Sequence, residues 1–267
     1  MGIMRIFDFD TAVMRTPGTT VVHGLRAHDG PSPDYHGVIA EHAAYAAALG
    51  AAGVKVEMLP PLEAYPDAMF VEDPALVFTE GAILLRPGTA TRVGEAETLR
   101  PALERLCGTV IDLAAGHVDG GDVLVTPDGV LIGLSTRTDE TGEQALCAAL
   151  DRFGHHGRIV RPPAGVLHLK TAATLIDEAT ILTTRACDEA GLFGRLRRIV
   201  VPAGEEAAAN ALRVNDHLFV GDRFARTNAM LDREGYRLVP LATRQIGLID
   251  AGLTCLSLRW RSAVLRH

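Results

Sequence analysis

Several residues that can do chemistry occur at or near the starts of apolar, strand-like segments of this sequence. Cys255 lies in LTCLSLRW near the C-terminus, and His168 lies in VLHLKTAATLI. A thiol that attacks an electrophilic carbon needs an imidazole to manage its proton and later to protonate a leaving amine. The other members of the set are Glu72, Asp73, Asp119, Asp122 and Asn210. Collected at one end of a fold, these residues would supply a nucleophile, a base and several carboxylates.

The adjacent acids in the segment FVEDP, Glu72 and Asp73, indicate a class of ligand. Paired carboxylates recognise a planar cation through parallel charge-assisted hydrogen bonds, so a guanidinium is the natural guest. The net charge of −7 and the pI of about 5.8 agree with a small cationic substrate. The same acidic balance argues against nucleic acid or another polyanion as a partner.

The same residues also have purely structural interpretations. Cys255 would be a small buried hydrophobe that shares one face of a short strand with Leu253 and Ser257. His168 would be a structural histidine in an alternating strand, and Glu72 and Asp73 would form a turn before a proline.

The remaining candidates are open to more than one interpretation as well. Asp119 and Asp122 flank a Gly-Gly pair that could simply be a bend. A metal site formed by these two acids and His117 is less favoured, because the sequence offers no clear further residue to support it. Arg92 and Arg137 follow second strands and open helix-like segments, where an arginine is usually a surface residue.

The bulk properties predict a folded protein of the cytoplasm that does not cross a membrane. The chain has 267 residues, of which 48% are hydrophobic, so it can bury a full core. No apolar run approaches the roughly 20 residues of a membrane span, and the N-terminal segment has no signal-peptide core. The four cysteines are far apart and form no CxxC pair, which argues against a zinc knuckle and a thioredoxin-like redox site and fits free thiols in a reducing compartment.

One pattern recurs along the chain: an apolar strand, a polar turn and a second apolar strand. It predicts β-hairpins over residues 74–88, 122–133, 173–184 and 211–221. Segments rich in Ala, Leu and Glu, with apolar residues three and four apart, predict helices between them. These segments cover residues 41–53, 94–108, 141–154 and 226–235.

The spacing of roughly 40 to 50 residues between hairpins is typical of propellers and arrays. A fifth hairpin must combine LTCLSLRW with the N-terminal segment RIFDFDTAVMRTPG, so that the two chain ends close a ring. We therefore expect an α/β fold of ββαβ-type repeats that forms one domain over residues 1–267, since no linker divides the chain. In such a ring the starts of the first strands converge at one end.

The sequence resembles the dimethylarginine dimethylaminohydrolase family. The resemblance is carried by GLRAHDGPSPDY, LPPLEAYPDAMFVEDPALVF, RPGTATRVGE, GLSTRTDETG, VLHLKTAATLI and DAGLTCLSLRW, in the family's order and over nearly the whole chain. FVEDP, HLKT and TCLSLRW are specific in combination. The resemblance implies the five-bladed α/β propeller of the guanidine-modifying (pentein, or amidinotransferase) superfamily.

The resemblance also implies roles for individual residues. Cys255 would be the nucleophile and His168 the general acid and base, with Asp119 supporting the histidine where the family has Glu or Asp. The implied substrate contacts are Glu72 and Asp73 at the guanidinium, Arg92 and Arg137 at the α-carboxylate, and Asp67 and the Leu25 backbone at the α-amino end. Leu25 belongs to a Gly-bearing loop, residues 24–37, that would act as a lid.

The implied reaction is hydrolysis of Nω-methylated arginine to citrulline and an amine, through a covalent adduct on Cys255. It requires no metal or organic cofactor, and a homodimer is compatible with the sequence. Two alternatives stay open at this point. One is an arginine deiminase that acts on unmethylated arginine, and the other is a catalytically silent propeller that binds cationic ligands.

Overall fold

Five three-stranded sheets make up the protein. The structure, a computed structural model, describes residues 6–27 and 29–262. The strands are β1 Thr11–Arg15, β2 Lys55–Leu59, β3 Ala75–Phe78, β4 Gly81–Leu84, β5 Val110–Asp112, β6 Val123–Thr126, β7 Gly129–Gly133, β8 Gly157–Val160, β9 Ala173–Asp177, β10 Thr180–Thr183, β11 Arg197–Val200, β12 Leu212–Val214, β13 His217–Gly221, β14 Leu238–Leu241 and β15 Leu258–Trp260. The helices are α1 Tyr35–Ala51, α2 Arg100–Cys107, α3 Glu140–Asp151, α4 Leu169–Ala172, α5 Arg185–Glu189 and α6 Ala225–Arg233.

All five sheets, here called blades 1 to 5, have the same topology. In each, an antiparallel pair is extended by a third strand that runs parallel to the central one, in the orders β15-β1-β2, β3-β4-β5, β6-β7-β8, β9-β10-β11 and β12-β13-β14. A parallel pair needs a crossover connection, and a helix lies between the second and third strands of every blade. The four predicted hairpins and the ββαβ-type repeat are confirmed.

The blades close into a ring. The first strands of neighbouring blades contact each other, as β15 does with β3, β6 with β9, and β9 with β12. The C-terminal strand β15 pairs with β1, Thr11 opposite Trp260, so the predicted fifth hairpin joins the two chain ends. The α/β propeller predicted from the sequence is therefore confirmed.

The apolar core lies at the junctions between blades. The described residues form five buried clusters, and each combines side chains from two neighbouring blades, so every junction of the ring has one. Val13 and Trp260 of blade 1 pack with Leu84 of blade 2, for example, at the junction that the chain ends close. Burial of apolar surface thus joins each blade to both of its neighbours. No helix in the described part of the chain is long and apolar enough to cross a membrane.

Asn215, in the turn of the blade 5 hairpin, connects that blade to blade 1. Its side chain accepts a hydrogen bond from Phe9 N at 2.8 Å and donates to the carbonyl oxygens of Phe9 at 3.0 Å and Ala52 at 2.8 Å. Its φ of 52° lies in the left-handed region, which Asn tolerates better than most residues. Backbone conformation and side-chain chemistry therefore both favour Asn at this position.

We expect Asn215→Gly to lower the free energy of unfolding by roughly 2–4 kcal/mol, because three hydrogen bonds are lost and partly buried backbone groups of Phe9 and Ala52 lose a partner. Asn215→Ala should cost about 1 kcal/mol more, because alanine is strained at positive φ. Urea unfolding of both variants measures the difference. If Asn215→Gly lowers the free energy of unfolding by less than about 1 kcal/mol, this side chain does not stabilise the junction of blades 5 and 1.

Candidate active site

A cavity at one end of the ring brings together most of the residues singled out in the sequence. Cys255 and His168 both line it, together with acids, arginines and part of the loop before α1. The predicted residues among its walls are Leu25, Asp67, Asp73, Arg92, Asp119, Arg137, His168 and Cys255. Of the residues expected to converge from the strand starts, Asp73, Asp119, His168 and Cys255 line this cavity, whereas Glu72, Asp122 and Asn210 do not.

Cys255 lies on a 3-10 helix, Leu253–Leu256, which ends before strand β15 begins. The interpretation that placed Cys255 on a strand is therefore wrong, because the extended segment starts only at Leu258. Burial raises the pKa of the Cys255 thiol to about 12, and the nearby carboxylates of Glu72 and Asp73 act in the same direction. The free protein therefore holds this residue as a thiol near neutral pH.

His168 precedes the short helix α4 rather than lying within a strand, so its strand interpretation is also wrong. Its Nε2 atom lies 3.1 Å from Oδ2 of Asp119, which is fully buried. Burial of the imidazole lowers its pKa, but the hydrogen bond to Asp119 and the charges of Asp73 and Asp122 outweigh that effect, so the pKa of His168 is raised. The pair is an imidazole whose orientation and charge are both supported by a carboxylate.

The Gly-Gly bend after Asp119 allows two close approaches. A Cβ on Gly120 would lie 2.0 Å from the Glu72 carbonyl oxygen, and one on Gly121 would lie 2.9 Å from the ring of His168. Gly121 also donates its backbone N–H to Asp73 Oδ1 at 3.1 Å. The bend therefore lets the acids of FVEDP and the histidine share one site.

Asp73 and Arg92 form a buried ion pair in the cavity wall. Burial raises the pKa of Asp73, but the Arg92 guanidinium and the charge of His168 lower it more, so the net direction is downward. Arg92 also binds Glu95 Oε2, at 2.7 Å from Nη2, and donates to the Phe70 carbonyl at 2.9 Å. Asp73 and Arg92 therefore both have hydrogen-bond and ion-pair partners within the protein.

Arg137 is the more accessible of the two predicted arginines. Its side chain is 22% exposed, against 4% for Arg92. It donates to the Thr89 hydroxyl, and its guanidinium lies 3.9 Å from the Asp119 carboxylate. A guanidinium with free donors beside a cavity is suited to bind a carboxylate.

The loop before α1 covers one side of the cavity. Leu25 N donates to Asp67 Oδ1 at 3.0 Å, and burial raises the pKa of Asp67. Ala27 N donates to Asp250 Oδ2 at 2.5 Å, which joins the loop to the segment before Cys255. Asp250 is not among the residues predicted from the sequence, and the φ of 55° at Asp250 is visible only in the structure.

Comparison with known proteins places this arrangement in a family. Residues 61–204 match the family model described as arginine deiminase. The chain is 34% identical over 254 residues to a dimethylarginine dimethylaminohydrolase of Pseudomonas aeruginosa, with 94% of this chain and 100% of the relative covered. The chain belongs to the dimethylarginine dimethylaminohydrolase family. As a member, it is a hydrolase that acts on the C–N bonds of linear amidines.

Other relatives agree with this assignment. A dimethylarginine dimethylaminohydrolase of Streptomyces coelicolor is 32% identical, with 94% of this chain and 96% of the relative covered. The solved structure of a cysteine-to-serine variant of the Pseudomonas aeruginosa enzyme with citrulline has a TM-score of 0.91, at 34% identity, and covers 95% of this chain and 100% of its own. The N-terminal domain of ArgZ, an arginine dihydrolase of cyanobacteria, shares the fold at 18% identity and a TM-score of 0.84.

Glu72, which the family resemblance places at a substrate guanidinium, does not line the cavity that contains Cys255 and has other partners. Its carboxylate lies 2.7 Å from Lys170 Nζ, accepts a hydrogen bond from the Thr254 hydroxyl at 2.8 Å, and lies 3.4 Å from Arg259 Nη2. It borders a second cavity, of about 300 Å³. Its contact with a guanidinium stays a prediction, while its charge acts on the Cys255 thiol.

The other polar residues at the strand starts have separate partners. Asp122 accepts hydrogen bonds from Ser135, Thr138 and Leu169 N, at 2.6, 2.7 and 3.0 Å. His117 lies 3.0 Å from Asp139, so it does not form a group with Asp119 and Asp122. Within the described residues, the set with metal-ligand spacing is Asp73, Asp119 and His168, whose donor atoms lie within 4.8 Å of one another.

The raised pKa of Cys255 predicts how the thiol ionises. Because thiolate is the reactive form, alkylation of Cys255 by iodoacetamide should rise with pH and reach no plateau below about pH 9. A cationic, unreactive guanidine analogue bound beside Asp73 should lower the thiol pKa, since a positive charge favours thiolate. Thiolate absorbance, measured as wild type minus Cys255→Ser, reports the shift. A thiol pKa well below neutral that the analogue leaves unchanged would contradict this account.

Proposed function

We propose that the protein hydrolyses Nω-methylated arginine, asymmetric dimethylarginine and monomethylarginine, to citrulline and dimethylamine or methylamine. The observation that carries the proposal is that Cys255, the His168–Asp119 pair and Asp73 line one cavity. The relatives support it, because two curated proteins that match 94% of this chain, at 34% and 32% identity, are dimethylarginine dimethylaminohydrolases. The five blades would act as one catalytic domain, since the site draws residues from several of them.

The proposed reaction proceeds through a covalent adduct. His168 takes the proton of the Cys255 thiol as the sulfur bonds to the guanidinium carbon. The imidazolium then gives that proton to the methylated nitrogen, the C–N bond breaks, and the amine leaves. His168 next removes a proton from water, and the hydroxide attacks the thiouronium carbon. The C–S bond breaks, and the new hydroxyl loses its proton to solvent or the free amine as it becomes the carbonyl of citrulline. The imidazolium of His168 returns its proton to the sulfur.

The other residues would bind and orient the substrate. Asp73 would accept hydrogen bonds from the substrate guanidinium, with Glu72 as the second predicted acid. Arg92 and Arg137 would bind the α-carboxylate, and Asp67 and the Leu25 backbone the α-amino end. Since Asp73 and Arg92 pair with each other in the free protein, substrate binding would exchange one internal ion pair for two pairs with the ligand.

A second candidate function is hydrolysis of unmethylated arginine with release of ammonia. The match of residues 61–204 to the arginine deiminase model favours it, because that region contains Asp73, Asp119 and His168. The two functions share the same core and differ in whether the leaving nitrogen carries methyl groups. A silent ligand-binding propeller, the third interpretation from the sequence, is wrong because the family assignment makes the protein a hydrolase.

A citrulline assay on dimethylarginine, monomethylarginine and arginine tests the proposal. We expect the methylated substrates to have kcat/KM values higher than that of arginine by roughly ten-fold or more, because a methyl group in a fitted pocket is worth about 1–3 kcal/mol. Cys255→Ser should retain binding and lose turnover, because the acids and arginines remain. Turnover of arginine alone would select the second candidate, and turnover by Cys255→Ser would exclude Cys255 as the nucleophile.

Arg137 provides a test of how the amino-acid end is bound. Arg137→Ala should raise KM for methylated arginine by roughly 10- to 100-fold, because a charge-assisted hydrogen bond contributes about 1.5–3 kcal/mol. Competitive inhibition by methylguanidine, which has no carboxylate, should stay nearly unchanged. Equal losses for both ligands would place Arg137 away from the α-carboxylate. Arg137 suits this test better than Arg92, whose removal leaves Asp73 and Glu95 buried without their cation.

A further inference from the structure

Asn210 occurs at the start of blade 5 and takes no part in the proposed reaction. Its position before a first strand predicted that it would join the site residues, but it does not line the cavity that contains Cys255. Its side chain instead binds the 3-10 helix that carries the nucleophile. Thr254 N donates to Asn210 Oδ1 at 3.1 Å, and Asn210 Nδ2 donates to the Thr254 hydroxyl at 3.1 Å.

The same amide group also reaches the segment that carries the histidine. Nδ2 donates its second hydrogen to the carbonyl oxygen of Lys170, at 3.0 Å, two residues after His168. The Thr254 hydroxyl, which accepts from Asn210, donates in turn to Glu72 Oε2 at 2.8 Å. One side chain therefore connects the nucleophile helix to the histidine segment and, through Thr254, to the acids of blade 2.

These contacts determine which way the amide faces. Exchanging oxygen and nitrogen would put an N–H group against Thr254 N–H and an oxygen against the Lys170 carbonyl, so only one orientation satisfies all three bonds. Gly252 packs directly against the group, since a Cβ at that position would lie 2.3 Å from Asn210 Cγ. The site around Asn210 therefore accommodates this side chain in a single position.

The nucleophile helix has few strong backbone bonds around Cys255. Cys255 N donates to Gly252 O at 3.3 Å, and Cys255 O accepts from Glu72 N at 3.4 Å, both longer than an ordinary N–H···O bond. The bonds of Thr254 are shorter and anchor this helix: two of 3.1 Å with the Asn210 side chain, one donated by each residue, and one of 2.8 Å from the Thr254 hydroxyl to Glu72. A misplacement of about 1 Å at a reacting atom can cost about 100-fold in rate.

We propose that Asn210 is a positioning residue that holds the Cys255 helix in register with the His168 segment. The proposal rests on the proposed role of Cys255 as the nucleophile. Asn210 is placed to act only through Thr254 and Lys170, so it affects the rate of reaction and not the affinity for substrate. Asn210 also limits the access of reagents to the thiol, because the helix that it anchors keeps Cys255 inside the cavity.

The test compares Asn210→Ala with Asn228→Ala as a matched control. Asn228 lies in the same blade on α6, is partly buried, and donates to the Gly221 carbonyl at 2.9 Å. For Asn210→Ala we expect kcat on dimethylarginine to fall roughly 10- to 100-fold while KM changes less than about three-fold. For Asn228→Ala both constants should stay near those of the wild type. Thermal unfolding of the two variants shows whether their stability losses match.

Alkylation of Cys255 by iodoacetamide gives a readout that does not depend on turnover. In Asn210→Ala the loosened helix should expose the thiol, so its alkylation at neutral pH should become several-fold faster although turnover falls. Cys107 and Cys147, measured by mass spectrometry in the same samples, report general loosening. If wild type hydrolyses none of the candidate substrates, the proposed function fails, while the alkylation comparison still decides whether Asn210 positions the thiol.

Asn210→Asp provides the second variant if the alanine variant does not fold. It is nearly isosteric but replaces two donor hydrogens with an oxygen facing the Lys170 carbonyl, so kcat should again fall with KM little changed. Thr254→Ser, which keeps the hydroxyl, should retain most of the turnover. The proposal is overturned if Asn210→Ala or Asn210→Asp keeps kcat within about three-fold, or if Cys255 alkylation changes no more than that of Cys107 and Cys147.

Discussion

Compensation of buried negative charge is the constraint on which the rest of the site depends. Asp73, Asp119 and Glu72 are all at least nine-tenths buried, and each is beside a different cationic or ionisable partner: Arg92, His168 and Lys170. A buried ion without its partner is strongly destabilising, so these pairs can be rearranged only when another charge enters. A guanidinium ligand brings one positive charge and, if it is an amino acid, a carboxylate as well.

The ring geometry explains how so many charges reach one point. Each acid or base lies near the start of a blade, and close backbone packing then brings neighbouring blades together. Glycines at 120, 121 and 252 make that packing possible, because a Cβ at any of them would overlap an atom of the site or of Asn210. Apolar burial at the five junctions supplies the stability that this crowded polar centre does not.

The sequence predicts the repeat and the residues of the site better than it predicts local conformation. The hairpins are visible because two apolar strands flank a polar turn. Strands β2, β8 and β11 are each partly exposed and contain at least one charged residue, so hydropathy does not locate them. Helix α1 begins at Tyr35, not near residue 41, because Asp34 caps it with a 2.7 Å bond to Gly37 N. Period-two alternation around Cys255 and His168 indicated strands, but a 3-10 helix and a helix start replace them. Hydrogen bonds with distant segments, such as those of Asn210, determine these conformations and leave no local pattern.

The pairing of β15 with β1 also has a consequence for synthesis. Cys255 lies just before β15, which follows all the other described elements and completes the ring by joining the strand made near the beginning. The core clusters between blades 2, 3, 4 and 5 contain no residue of β15, so a large part of the ring can assemble before that strand is in place. Cys255, however, joins His168 in one cavity only when the last strand docks. A chain that ends before β15 lacks this cavity, so under the proposed function it would be inert and would not present a reactive thiol to guanidines.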